Sequence, residues 1–357
     1  MAPQPLLIVP SCIMKCCILD LSPANSMVPY LVGQGYTVFI VSWRNPDASD
    51  RDLGMDDCVL HGVIDAMAAV GASTGADRIH ALGYCLGGTF LAIAAALHVK
   101  FHGAKRSAEA ASLDLPKALP ELARVTLLAA QTDFSEPGDL GVFIDEDQVK
   151  TLCETMARTG DLSGRQMAAS FQFLNARDLI WSRNTQRYLM GAREVRNDLM
   201  SWNADVTRQP QRMHSEYLKW LFLGNALAAG HYRVLGCAVA LNDISVPLRV
   251  VGTTRDPVSP WRSVYKIHRP TDVATTFARA AAGHNAGIVC EPGHPGRSYQ
   301  IATAPKDHAW VDPGSWWEAM AAWLKARSGR HGPPPKIAAR RVLADAPGDS
   351  VSVRHAD

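Results

Sequence analysis

The chain has 357 residues, 47% hydrophobic and 20% charged, enough to bury a large core as one big domain or two smaller ones. Its 36 Lys and Arg against 34 Asp and Glu leave a net charge of +2, so no overall field points to nucleic acid or an anionic membrane as partner. Met1 to Leu21 lacks the basic start of a secretory signal, and the best apolar run, Phe90 to Leu97, is too short to span a bilayer. The expectation is a cytoplasmic chain whose eight cysteines are reduced thiols. Cys12, Cys16 and Cys17 lack a second ligand pair at zinc spacing, so no metal site is expected there.

In chain order, Pro5 to Val9 is apolar on both faces and predicts a strand buried between layers of helix. Ser22-Pro23 has the form of a helix start, with Met27, Tyr30 and Leu31 as its apolar stripe. Thr37 to Trp43 predicts the next strand, and Arg44-Asn45-Pro46-Asp47 the turn that leaves it. A second helix opens with Asp56 and Asp57, carries Val59, Leu60, Val63, Ile64, Met67 and Val70 at helical spacing, and ends at Gly75. Ile79 to Leu82 is a short strand running directly into a helix, and Val125 to Ala130 is another strand. This βα alternation predicts a parallel sheet with right-handed crossovers.

From Gln131 to Asp243 strand-like runs disappear, while aromatic and charged residues mix at helical spacing. A segment this long predicts a mostly helical cap. Leu248 to Thr253 resumes the sheet, Thr275 to Ala281 is a weaker last strand, and Trp316 to Ala326 a final helix. The organisation expected is a first core part over 1–130, a cap insertion over 131–243, a second core part over 244–327, and a disordered tail over 328–357.

The chemistry is concentrated at Gly83-Tyr84-Cys85-Leu86-Gly87. It has the pattern of a nucleophile elbow, the sharp strand-to-helix turn that exposes a nucleophile at the edge of a sheet, with cysteine in the serine position. Two acids follow strands, Asp133 and Asp256. Asp256 is favoured, because Pro257 and Pro260 stiffen its turn. His284 lies between small residues just after the last predicted strand. His80 is expected to be structural, His98 and His102 sit at a helix end, and His294 and His308 are weaker rivals.

The chain order Cys85, Asp256, His284 matches the α/β-hydrolase arrangement of nucleophile, acid and base, and so predicts that fold. In it His284 takes the thiol proton and Asp256 fixes the imidazole tautomer. The backbone N–H groups of Leu86 and of the loop around Cys12 are expected to hold the oxyanion.

Six segments carry a resemblance: Leu6-Leu7-Ile8-Val9-Pro10, Ile18-Leu19-Asp20-Leu21-Ser22-Pro23, Val41-Ser42-Trp43-Arg44-Asn45-Pro46-Asp47, Gly83 to Gly88, Trp202-Asn203-Ala204-Asp205-Val206-Thr207, and Gly283-His284-Asn285-Ala286-Gly287. Together, from about Pro5 to Lys325, the chain resembles polyhydroxyalkanoate synthases, most closely the single-subunit class I type. The resemblance implies polymerisation of (R)-3-hydroxyacyl-CoA into polyester with release of coenzyme A. It implies no cofactor, since the coenzyme A thioester is a substrate. It further implies a homodimer at the surface of cytoplasmic polyester granules, where granule surface proteins are possible partners. It places nucleophile, acid and base on Cys85, Asp256 and His284, lets Cys12 contribute its N–H to the oxyanion hole, and gives Asp205 an organising role in the cap.

The chain departs from that family's usual pattern at Met14, Cys16, Cys17, Cys58, Pro257 and Asn285. Unless the true start lies upstream of Met1, the resemblance also implies that the helical N-terminal domain and the two strands that usually precede Pro5 to Val9 are missing. That makes Thr37 to Trp43 an exposed sheet edge and predicts an aggregation-prone or partner-dependent chain. Two other functions fit the same residues: a cysteine hydrolase that releases the acyl group to water, and a catalytically impaired granule-associated fragment.

Overall fold

The computed structural model describes residues 1–101, 109, 113, 115–116, 118–174, 181–182, 184–191, 193, 197–302, 312–326, 328–337 and 342–353. Strands β1 (Leu6–Val9), β2 (Val38–Ile40), β3 (Arg78–Tyr84), β4 (Glu121–Leu128), β9 (Leu248–Thr253), β10 (Thr275–Ala280), β11 (Ser298–Ala302) and β12 (Asp312–Pro313) form one sheet in the order 12-11-10-9-4-3-1-2. In the chain between β4 and β9 come two separate two-residue ribbons: β5 (Asp161–Leu162) with β6 (Gln209–Pro210), and β7 (Arg233–Val234) with β8 (Cys237–Ala238). Every pairing from β2 across to β10 is parallel, and β11 and β12 are added antiparallel.

β1 shows why the sheet is covered on both sides. All four of its residues are buried; Leu7 and Val9 enter one apolar layer and Leu6 and Ile8 the other, as period-two alternation requires. The helix after β3, Leu86–Val99, is buried from Leu86 to His98, so its apolar residues run around the whole circumference rather than along one stripe. On the opposite face Trp316 and Trp317, on the helix Trp316–Lys325, are almost completely buried. Their indole N–H groups donate to the Gly287 and Ile288 carbonyls at 2.9 Å. That helix therefore holds the loop that carries His284.

Several local expectations shift. The first helix is Met27–Gly33, capped by Ser26, whose hydroxyl accepts from Val28 N at 3.2 Å; Ser22 is instead tied into a turn by the Asn25 side chain. The second helical stretch passes through a π-helical turn, Cys58–Ile64, between Met55–Asp57 and Asp65–Thr74, and ends at Gly75 with φ of 69°. Between Gln131 and Asp243 the helices are interrupted by the β5–β6 and β7–β8 ribbons. β11 and β12 lie beyond the strand expected to be last, too short and too polar on one side to stand out from loop. In the segment expected to be disordered, the Val351 and Val353 carbonyls accept from the Lys15 ammonium at 2.7 and 2.8 Å. Asp205 pairs with the same ammonium at 2.6 Å; a buried charge has to find such acceptors.

β2 is the sheet edge, three residues long and half-buried. Among the described residues no strand pairs with its outer N–H and C=O groups, which leaves a template for pairing with another chain. Light scattering of the purified chain is expected to show species larger than a monomer; a monodisperse monomer would contradict this.

His80, in the middle of β3, is 1% exposed and neither ring nitrogen has a hydrogen-bond partner among the described residues. Burial, with Arg124 and Arg78 nearby, pushes its pKa down to about 4. Below the ordinary histidine value the unfolded chain binds a proton that the folded chain refuses. Stability is therefore lost as the pH falls from about 6.5 towards 4, by up to about 3 kcal/mol from this residue. Urea titrations at pH 7 and pH 4.5 are expected to show a smaller acid loss for His80→Leu than for the native chain; an equal loss would contradict the assignment.

Candidate active site

The elbow joins β3 to the helix Leu86–Val99. Cys85 sits at φ 52°, ψ −128°, a conformation disfavoured for a side-chain-bearing residue by about 1–3 kcal/mol. It is held there from both sides. Cys85 N donates to Leu128 O on β4 at 2.9 Å, and Cys85 O accepts from Gly88 N and Thr89 N. Only glycine fits around it: a Cβ on Gly87 would lie 2.2 Å from Pro10 O, and one on Gly83 2.5 Å from Gly88 Cα. Leu86 opens the helix, so its N–H has no intrahelical acceptor and is available at the mouth of the elbow.

Asp256 follows β9 and His284 follows β10, and the structure brings them together: His284 Nδ1 lies 2.7 Å from Asp256 Oδ2. A carboxylate only accepts, so Nδ1 donates and Nε2 is left for the sulfur. The Asp256 side chain is completely buried and also accepts from Thr253 Oγ1, Val258 N and Ser259 N, at 3.1, 2.9 and 2.7 Å. Burial alone would lower the imidazole pKa, but the Asp256 carboxylate and the Cys85 sulfur, each close enough to hydrogen-bond the ring, hold it well above its ordinary value.

Asp133, the other acid considered, is not part of this cluster. It accepts from Ser135 N and Oγ and from Asn225 Nδ2; despite some burial, these bonds and Lys266 keep its carboxyl below the ordinary range. His98 bonds Pro120 O and His294 bonds Pro295 O, while His102 and His308 lie outside the described residues. Cys12 is clamped by the segment after Trp202: its carbonyl accepts from Gln209 Nε2 at 3.1 Å and Thr207 Oγ1 at 3.3 Å. Its thiol contacts Gln209 Oε1, and burial pushes that thiol far up, away from the reactive thiolate form.

Cys85 and His284 open into a cavity of about 820 Å³, also lined by Phe134, Phe143, Met167, Trp202 and Leu218 among others. Asn285, beside the histidine, accepts a hydrogen bond from the Tyr84 hydroxyl, and the Tyr84 ring lies 5.5 Å from that of His284. The departure at position 285 thus gives a buried tyrosine its partner. His214, which no sequence pattern marks, also lies on the cavity wall. It sits inside an ordinary helical stretch, and nothing in its sequence neighbours marks it.

All eight cysteines are free. Among the described residues no group of three or more His, Cys, Asp or Glu side chains is placed to hold a metal, and no helix is long and apolar enough to cross a membrane.

A strained cysteine between β3 and its helix, with an Asp–His pair carried at the ends of β9 and β10, defines a class. The chain belongs to the alpha/beta hydrolase fold family, whose model matches residues 5–289. Within that class it is similar to the poly(3-hydroxyalkanoate) polymerase of Methylorubrum extorquens, 36% identical over 362 residues, 98% of this chain and 57% of the relative. The poly(3-hydroxyalkanoate) polymerase subunit PhaC of Rhizobium meliloti is 34% identical over 98% of this chain and 56% of its own length. That of Cupriavidus necator is 35% identical over 98% and 60%. The chain thus spans somewhat more than half the length of these relatives.

Proposed function

We propose that the chain is an acyltransferase that polymerises (R)-3-hydroxyacyl-CoA into polyhydroxyalkanoate, using Cys85 as nucleophile, His284 as base and Asp256 as the group that orients the base. The observation that carries this reading is the placement of the Cys85 sulfur at a strained elbow, beside a histidine anchored on a fully buried carboxylate, at the floor of a largely apolar cavity. His284 holds the thiol proton, and the sulfur attacks the thioester carbonyl. The carbon–sulfur bond to coenzyme A breaks, and coenzyme A leaves as the thiol with the proton from His284. The hydroxyl oxygen of another unit then attacks the acyl-cysteine while its proton passes to His284. The ester forms and the Cys85 sulfur is released.

The N–H groups of Leu86 and Cys12 are assigned to the carbonyl oxygen as its charge develops. The segment 131–243 supplies most of the wall facing Cys85 and is proposed as the cap that selects the acyl group, with Asp205 organising it through Lys15. A second copy of the chain and the surface of a cytoplasmic polyester granule are the partners this reading assigns.

The test is incubation with (R)-3-hydroxybutyryl-CoA, following coenzyme A release and turbidity together. Release with polymer supports the proposal. Release of free 3-hydroxybutyrate alone would replace it with a hydrolase, and no release would make the chain a non-catalytic fragment.

A further inference from the structure

His214 is 5% exposed, lines the cavity that holds Cys85, and its Nδ1 is buried with no hydrogen-bond partner among the described residues. Several other polar groups on that wall are paired within the protein: Tyr84 with Asn285, Thr89 with the Gln131 carbonyl, Gln131 with Ser263. An orphaned polar group in an interior is destabilising, so one that persists calls for an explanation. His214 stands one turn before a π-helical segment, Tyr217–Leu223, a distortion common at functional sites. Its ring lies 6.0 Å from that of Tyr217, which also lines the cavity.

We infer that His214 is a substrate-contacting residue that hydrogen-bonds the 3-hydroxyl of the acyl group, and so makes the site select hydroxyacyl over plain acyl thioesters. The inference rests on the acyl-transfer reading above. In that reading the carbonyl oxygen is served by backbone N–H groups, and the rest of the acyl group is hydrocarbon suited to the apolar wall. The hydroxyl is the one polar atom of the acyl group still without a partner, and His214, on that wall, has one ring nitrogen, Nδ1, without one among the described residues. Burial pushes the His214 pKa down to about 4, so at neutral pH the ring is uncharged, with one nitrogen donating and one accepting. A hydroxyl does both as well. A site built to bond a substrate hydroxyl discriminates strongly against the analogue lacking it, because its own polar group is then left unpaired.

The experiment measures single-turnover acylation of Cys85 by (R)-3-hydroxybutyryl-CoA and by butyryl-CoA, which differ only in the hydroxyl, alongside thermal melting of the same preparations. In His214→Leu the ratio of the two rates is expected to fall about tenfold or more, while His214→Asn, which keeps a donor and an acceptor, retains most of it. The melting temperature of His214→Leu is expected not to fall, since the change removes an orphaned polar group. His214→Phe serves as a second apolar variant if the leucine chain does not fold. A ratio indifferent to residue 214, or both rates falling in the same proportion, overturns the inference and leaves acyl transfer standing. Failure of either thioester to acylate the native chain overturns both.

Discussion

Replacing Cys85 by alanine should lower coenzyme A release from (R)-3-hydroxybutyryl-CoA by about ten-thousand-fold or more, the scale at which nucleophilic triads lose activity when the attacking atom is removed. The same substitution at Cys12 should leave most of the rate, because only its backbone N–H is assigned a role and its thiol is held protonated by burial. Other thiols near the site do not substitute for Cys85. Burial pushes the Cys58 pKa up to about 12 and that of Cys12 well above its ordinary value, and neither sits on the strained turn. Cys85→Ala should fold normally, since alanine removes only the sulfur and Gly83 and Gly87 still close the elbow. Stopped release assays on the three proteins, with circular dichroism to confirm folding, check this. Comparable losses in Cys85→Ala and Cys12→Ala would mean that the sulfur at the elbow is not the nucleophile.

Asp256→Asn should cost about a thousand- to ten-thousand-fold in the same assay while leaving the fold in place. Asparagine keeps an oxygen for the Val258 and Ser259 N–H groups, but its amide nitrogen then faces His284 Nδ1. Nδ1 must accept instead of donate. The proton moves to Nε2, and the nitrogen facing Cys85 no longer takes up the thiol proton. Losing the carboxylate also removes the main attraction that offsets burial, so the imidazole pKa should drop. Asp133→Asn is the control, since that side chain bonds Ser135 and Asn225 and not the histidine. Equal effects of the two substitutions on kcat would show that Asp256 acts through the fold rather than through His284.

The parts of the site legible in the sequence were those encoded by short contiguous patterns. Gly83-x-Cys85-x-Gly87 is such a pattern because two close backbone approaches, at Pro10 and Gly88, leave no room for a side chain. Asp256 and His284 could be found because each directly follows a buried apolar strand, β9 and β10, whose ends the periodicity marks. In the sequence Pro257 and Pro260 favour Asp256 over Asp133; the structure adds the four donors that converge on the Asp256 carboxylate.

What the sequence did not reveal depends on distant partners. Asn285 reads as a departure from a pattern, yet it pairs with Tyr84, 201 residues away. His214 lies in a helical run like any other, and its isolation on a cavity wall becomes visible only when the helix is packed. β11 escaped notice because Ser298–Ala302 buries little beyond Gln300, and β12 because two residues carry no period. The π-helical turn at Cys58–Ile64 leaves the apolar spacing of Val59, Leu60, Val63 and Ile64 unchanged and so has no signature of its own.

The central claim is that hydroxyacyl units are transferred from coenzyme A onto Cys85 and from there into a chain. Mass spectrometry of the peptide containing Cys85, after brief incubation of the protein with (R)-3-hydroxybutyryl-CoA and acid quenching, tests it most directly. The account predicts a ladder of mass increments on that peptide, each one 3-hydroxybutyryl unit, removed by hydroxylamine and absent from Cys85→Ala. An unmodified Cys85 peptide while coenzyme A is being released, or the ladder on a different cysteine, would contradict it.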